Sequence, residues 1–370
     1  MADLHDLLAE RHIIVCTGSG GVGKTTVAAT LALAAASQGR RTIVVTIDPA
    51  KRLAQSLGLK VLDNTPRAVA GTPNLDAMML DMQQTFDDVI DRHAQNPARA
   101  ARIKANRFYQ QLSSSLAGTQ EYMAMEKLFD LHHNGEYDCI VVDTPPTRNA
   151  LDFLDAPKRL TDFLEGRFLR MFLSPGLTAT RTIGKAAAFG TGLFMKAAGR
   201  ITGASVLDDL AEFFRSFDGM YEGFKQRAQS VYALLSSGEA AFVVVTTPEP
   251  AALREARYFS RRLDQDRMPL AAVIINRVSL PISPHLATVL DGLDERDAAS
   301  AFDDDDHSRA VEGLVDLARR QDDVHHRQIA AVEAGLHGVD MAPRIGVPLM
   351  PTDVHDLEGL RAVGRHLVGT

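Results

Sequence analysis

Residues 18–25 read GSGGVGKT: Gly18 and Gly23 bracket four residues, and Lys24 and Thr25 follow at once. This is the spacing G-x-x-x-x-G-K-[ST], whose chemistry is anion capture. Glycines let the backbone curl until the N–H groups of Gly18, Ser19, Gly20, Gly21, Val22 and Gly23 turn inward together. Lys24 extends a cation towards the outer phosphates of a bound chain, and the Thr25 hydroxyl is a hard oxygen ligand for magnesium. Thr25 and Thr26 open the helix that follows, whose N-terminus adds partial positive charge. An ordinary glycine-rich turn is the alternative, but the mechanism demands a strand before the loop and a helix after it, and both are predicted. These residues point to a nucleoside triphosphate bound with Mg2+.

Two carboxylates extend the pattern. Asp143 follows CIVV and Asp48 follows RTIVVTI, each at the carboxyl end of a predicted central strand, where open α/β sheets place their ligands. Asp143 has the context of an aspartate that holds magnesium through water. Asp48 is then free to orient or deprotonate an attacking water. The competing role for either is to cap the next helix. Pro49, Pro145 and Pro146 stiffen both turns, as suits loops with two discrete positions.

Elements of alternating type must hold these groups. Short runs apolar on both faces predict strands at Ile13–Thr17, Thr42–Ile47, Leu75–Leu80, Cys139–Val142, Phe242–Thr246, Ala271–Ile275 and Ile345–Leu349. An Ala/Leu-rich helix from Lys24 to Ser37, stopped by Gly39, joins the first two. The fold class is α/β, a doubly wound and mostly parallel sheet over residues 1–370. Residues 82–135 and 150–240 are too long for single crossovers and predict a helical subdomain. A further insert over 280–340 carries the acidic run FDDDDH, read as a solvated loop or helix start, and then a helical pattern.

Composition narrows the class. The 370 residues are 45% hydrophobic and 24% charged with a formal charge of -7, which argues against a nucleic-acid-binding surface. Cys16 and Cys139 sit in apolar runs with no disulfide framework and no CxxC pair. The N-terminus lacks the apolar run of a signal peptide, and no uncharged stretch is long enough to span a membrane. A cytoplasmic protein is expected, with a peripheral place at the inner membrane as the alternative.

In its motifs the chain resembles the ArsA family, which holds the arsenite-pump ATPase and the ATPase that delivers tail-anchored membrane proteins. GGVGKTT matches the family's phosphate loop, TIDPA its first switch and DTPPT its second. The resemblance implies a P-loop NTPase of the deviant Walker A (SIMIBI) class, with ATP and Mg2+ as cofactors. It gives Asp48 and Lys24 catalytic roles. It places Glu249 of TTPEP near nucleotide across a dimer, Asn276 of IINRV on adenine with Arg277 beside it, and Pro351 in the base-flanking loop. It implies a nucleotide-sandwich dimer whose helical subdomains move with nucleotide state.

The departures bear on function. Neither cysteine lies in the helical inserts, so arsenite is not expected as cargo, and the dimer-bridging zinc CxxC is missing. Where the family has a lysine that crosses the dimer to the partner's phosphates, this chain has Ser19. Three readings follow: a slow nucleotide switch, replacement by Arg148, Lys51 or Arg52, or a heterodimer with a Lys-bearing paralogous ATPase. The last is preferred over a homodimer. Residues 158–204 carry eight Lys/Arg against Asp162 and Glu165. Phe168, Leu169, Met171, Phe172, Leu193, Phe194 and Met195 fall inside that segment. They read either as the core of the helical subdomain or as a surface for a hydrophobic protein client or a membrane. A catalytically weak nucleotide-gated subunit and a positional ATPase of the MinD or ParA kind are the alternative functions.

Overall fold

The computed structural model describes residues 4–48, 52–107, 109–110, 119–145, 221–283, 305–340 and 342–369. Eight strands form one sheet: β1 (Ile13–Thr17), β2 (Thr42–Thr46), β3 (Arg67–Ala68), β4 (Leu75–Met79), β5 (Cys139–Asp143), β6 (Ala240–Thr246), β7 (Leu270–Val278) and β8 (Arg344–Pro348). Their order is β3-β4-β2-β5-β1-β6-β7-β8, and every pairing is parallel except β3 with β4. The seven expected strands are all present with ends moved by a few residues. The eighth, β3, was not expected: two exposed residues carry no readable period.

Central strands are buried on both faces, and their alternating residues feed two cores. On β1, Ile13 and Val15 enter one core and Ile14 and Cys16 the other. The first core is covered by the helices α4 (Met82–His93), α5 (Pro97–Ala105), α6 (Thr119–His133), α7 (Tyr221–Leu235), α8 (Pro250–Gln265) and α9 (Asp305–Gly335). The second is covered by α1 (Leu4–Glu10), α2 (Lys24–Ser37), α3 (Arg52–Ser56) and α10 (Leu357–Val368). Helices on both faces of a parallel sheet are the doubly wound arrangement.

Helix α2 is apolar all round and is sandwiched between the sheet and α10, so only Lys24, Thr25 and Thr26 of its first turn serve the site. It ends where expected, with Gly39 at φ 86° carrying the chain into β2. Among the described residues of 82–135 and 221–235, all the regular structure is helical. There α6 and α7 are joined by a buried ion pair in which Arg227 Nε donates to both Glu126 oxygens, at 3.1 and 2.9 Å. The acidic run ends in the start of α9 at Asp305. Cys16 and Cys139 are buried in strands, and burial raises both thiol pKa values, that of Cys139 to about 12.

Candidate nucleotide site

Strand β1 delivers the loop of residues 18–23 to the carboxyl edge of the sheet, beside the ends of β5 and β6. Two glycines are dictated there by contact. A Cβ on Gly18 would collide with the Val245 carbonyl of β6. Gly23, at φ 97°, would drive a Cβ into the Asn276 amide of β7. Lys24 then begins α2, and its buried ammonium donates to the Ser19 carbonyl across the loop at 2.9 Å. Burial lowers the Lys24 pKa, while the charges of Asp143 and Asp48 oppose that shift.

The register of β2 with β5 sets Thr46 opposite Asp143. Thr46 Oγ1 donates to Asp143 Oδ2 at 3.0 Å, and Thr25 Oγ1 donates to the same oxygen at 2.9 Å. The Asp48 N–H donates to Thr46 Oγ1 at 3.2 Å, which ties the first switch to the second. Asp143 is fully buried, and its other oxygen, Oδ1, has no partner among the described residues. Burial pushes the carboxyl pKa up to about 6, against the two hydroxyl bonds and the Lys24 charge. A buried carboxylate oxygen left unbonded calls for a cation or its water. A hydroxyl beside a carboxylate is an all-oxygen set suited to a hard ion such as Mg2+, which keeps much of its water. The residues present therefore fit magnesium.

A cleft of about 430 Å³ opens over this cluster, lined by Gly20, Gly21, Gly23, Lys24, Thr25, Thr26, Asp48 and Arg277 among the expected site residues. Arg52 and, unexpectedly, Gln55, Ser56, Thr144, Val354 and His355 complete it. Pro351 is exposed and does not line this cleft; the loop it opens reaches it at Val354 and His355. A second cleft, of about 420 Å³, shares Gly20, Gly21 and Arg277 and is walled by Ser19, Val22, Glu249 and Glu255. Asn276 Nδ2 donates to the Val22 carbonyl at 2.8 Å, so its amide braces the loop. The Ser19 hydroxyl oxygen is buried in the loop without a partner among the described residues. Arg148, Lys51 and the seven apolar residues from Phe168 to Met195 lie outside the described residues. Thr46 was missed; its signal is its place two residues before Asp48, at the end of a strand parallel to that of Asp143.

A glycine loop between β1 and α2, with carboxylates at the ends of neighbouring strands, defines a P-loop nucleotide hydrolase fold. The family described as anion-transporting ATPase matches residues 11–286, and the chain belongs to that family. It is similar to ATPase GET3 of Malassezia globosa, 32% identical over 166 residues that span 43% of this chain and 48% of that one. It is also similar to ATPase ARSA2 of Chlamydomonas reinhardtii, 28% identical over 74% of this chain and 70% of the other. A third relative is the ATPase ASNA1 homolog of Entamoeba dispar, 26% identical over 72% and 76% of the two chains. Among the described residues no helix is long and apolar enough to cross a membrane.

Proposed function

We propose that this chain binds ATP with Mg2+ in the cleft of Lys24, Thr25 and Asp48 and hydrolyses the terminal phosphate bond. The observation that carries this reading is Asp143, a fully buried carboxylate with one oxygen fastened by Thr25 and Thr46 and the other unpartnered among the described residues. In this reading the loop N–H groups and Lys24 hold the β- and γ-phosphates, and Thr25 and Asp143 hold the metal. Bound magnesium neutralises phosphate charge. Asp48 lines the same cleft and orients the water, whose oxygen bonds to the γ-phosphorus as the bond to the β–γ bridging oxygen breaks. Asn276 is assigned to adenine, and Glu249 to the face that meets a partner.

Two copies, or this chain and a Lys-bearing paralogue, are proposed to close over the nucleotide and couple its state to the helices on the α4–α7 face. The client is proposed to be a hydrophobic protein segment or a membrane surface met by residues 158–204, on the strength of their basic and apolar composition. Ser19 favours the heterodimer, because a short uncharged side chain cannot reach across an interface to phosphate. Phosphate release from ATP and magnesium by the purified chain tests the site. Lys24→Ala is expected to lose nucleotide binding, and unchanged binding would remove the loop assignment.

A further inference from the structure

Three non-glycine residues among those described hold positive φ: Asn74, Arg267 and Arg277. Asn tolerates this region, and Arg267 directly follows the C-cap of α8, where a left-handed residue is ordinary. Arg277, at φ 61°, is different: it sits inside β7, where the pairing with β8 shifts register between Ile275 and Val278. Such bulges re-aim a side chain, and a strained non-glycine residue persists only where the surroundings hold it. The holding is visible. The Arg277 N–H donates to Asn276 Oδ1 at 3.0 Å, and Asn276 Nδ2 donates to the Val22 carbonyl at 2.8 Å. The strain in β7 is thus fastened to the phosphate loop.

The aim is also visible. Arg277 is exposed and lines both clefts together with Gly20 and Gly21, and it shares the first of them with the buried Lys24. The second cleft holds Glu249 and Glu255, yet the Arg277 guanidinium forms no ion pair or hydrogen bond among the described residues. A cation held in a costly backbone conformation beside an anion-capturing loop, in a cleft with two carboxylates that it does not pair with, is poised for an anionic ligand.

We propose that Arg277 supplies a second cation to the phosphate loop, pairing with phosphate oxygens of the nucleotide from the Gly20–Gly21 side and so providing within one chain a charge that Ser19 does not. This rests on the nucleotide reading above and adds to it a residue that discriminates by phosphate charge.

Glycine relieves a positive φ while deleting the charge, so Arg277→Gly separates the two roles. Dissociation constants for ATP, ADP and adenosine are measured with magnesium on the full chain and on the R277G and R277K variants, alongside thermal midpoints. A charged hydrogen bond predicts about 10- to 100-fold weaker ATP binding in R277G. Adenosine binding should be little changed, the midpoint should not fall, and R277K should recover much of the ATP preference. Wild-type ATP affinity in R277G, or an equal fold-loss for ATP and adenosine, would overturn the proposal and leave the nucleotide site standing. If the wild-type chain binds no ATP at all, the site reading falls and this inference falls with it.

Discussion

Asp143 ionises against its surroundings, because burial outweighs the two hydroxyls and the lysine that favour its charge. Its pKa of about 6 exceeds the ordinary value of 3.8, so the folded chain holds that proton more tightly than the unfolded one. The stability it contributes is therefore full below the ordinary value and is lost as pH rises through about 6. The total is roughly 3 kcal/mol at about 1.36 kcal/mol per pH unit. Asp143→Asn is expected to abolish that loss, and with it the magnesium dependence of nucleotide binding. Urea unfolding at pH 4.5 and pH 7, without nucleotide or metal, compares the two chains; an unchanged pH slope in the variant would refute the account. Asp48 lines the cleft and is tied to Thr46 through its backbone N–H, which an asparagine keeps, so Asp48→Asn should keep ATP binding while slowing hydrolysis. Loss of binding instead would make Asp48 a structural residue.

At the scale of elements, the site depends on how strand ends meet the loop. Gly23 has a left-handed φ and faces the Asn276 amide, so Gly23→Ala adds backbone strain of about 1–3 kcal/mol and pushes β7 from the loop. Weaker ATP binding with a lowered thermal midpoint is the expected pair of outcomes. A variant that lost neither would show that the loop and β7 are independent. On the opposite face, Glu126 and Arg227 form an ion pair exposed by only 2% and 14%, which joins α6 to α7. Removing one partner of a buried pair typically costs about 3–5 kcal/mol. Glu126→Ala should show that loss in denaturant midpoint, and a change below about 1 kcal/mol would mean that water reaches the arginine.

For the whole molecule, the proposed closure of two chains over nucleotide makes turnover depend on encounter. ATP hydrolysis per chain is expected to rise with protein concentration if the chain pairs with itself. Tight ATP binding with negligible turnover at every concentration would instead call for a paralogue that carries the missing lysine. Hydrolysis independent of concentration would remove the need for a partner.

Much of this architecture is legible from local chemistry. Parallel strands buried on both faces are continuous apolar runs, so β1, β2, β5 and β6 announce themselves, and α2 is bounded by Lys24 and Gly39. The phosphate loop is equally plain, since each residue's role follows from its own side chain and its neighbours along the chain. What stayed hidden depends on contacts between distant segments. Thr46 becomes a partner of Asp143 only through the register of two parallel strands, and Val354 and His355 reach the cleft only because their loop returns to it. Arg277 is expected beside the nucleotide, but its strained backbone and its tie to the phosphate loop appear only with the bulge in β7 and the bonds through Asn276. Sequence by itself determined the fold class and the anion-binding loop, because period, glycine and charge are local. Tertiary structure alone decided which oxygen of Asp143 the two threonines hold and that Arg277 lines the clefts beside the loop, because both follow from where separate strands end in space.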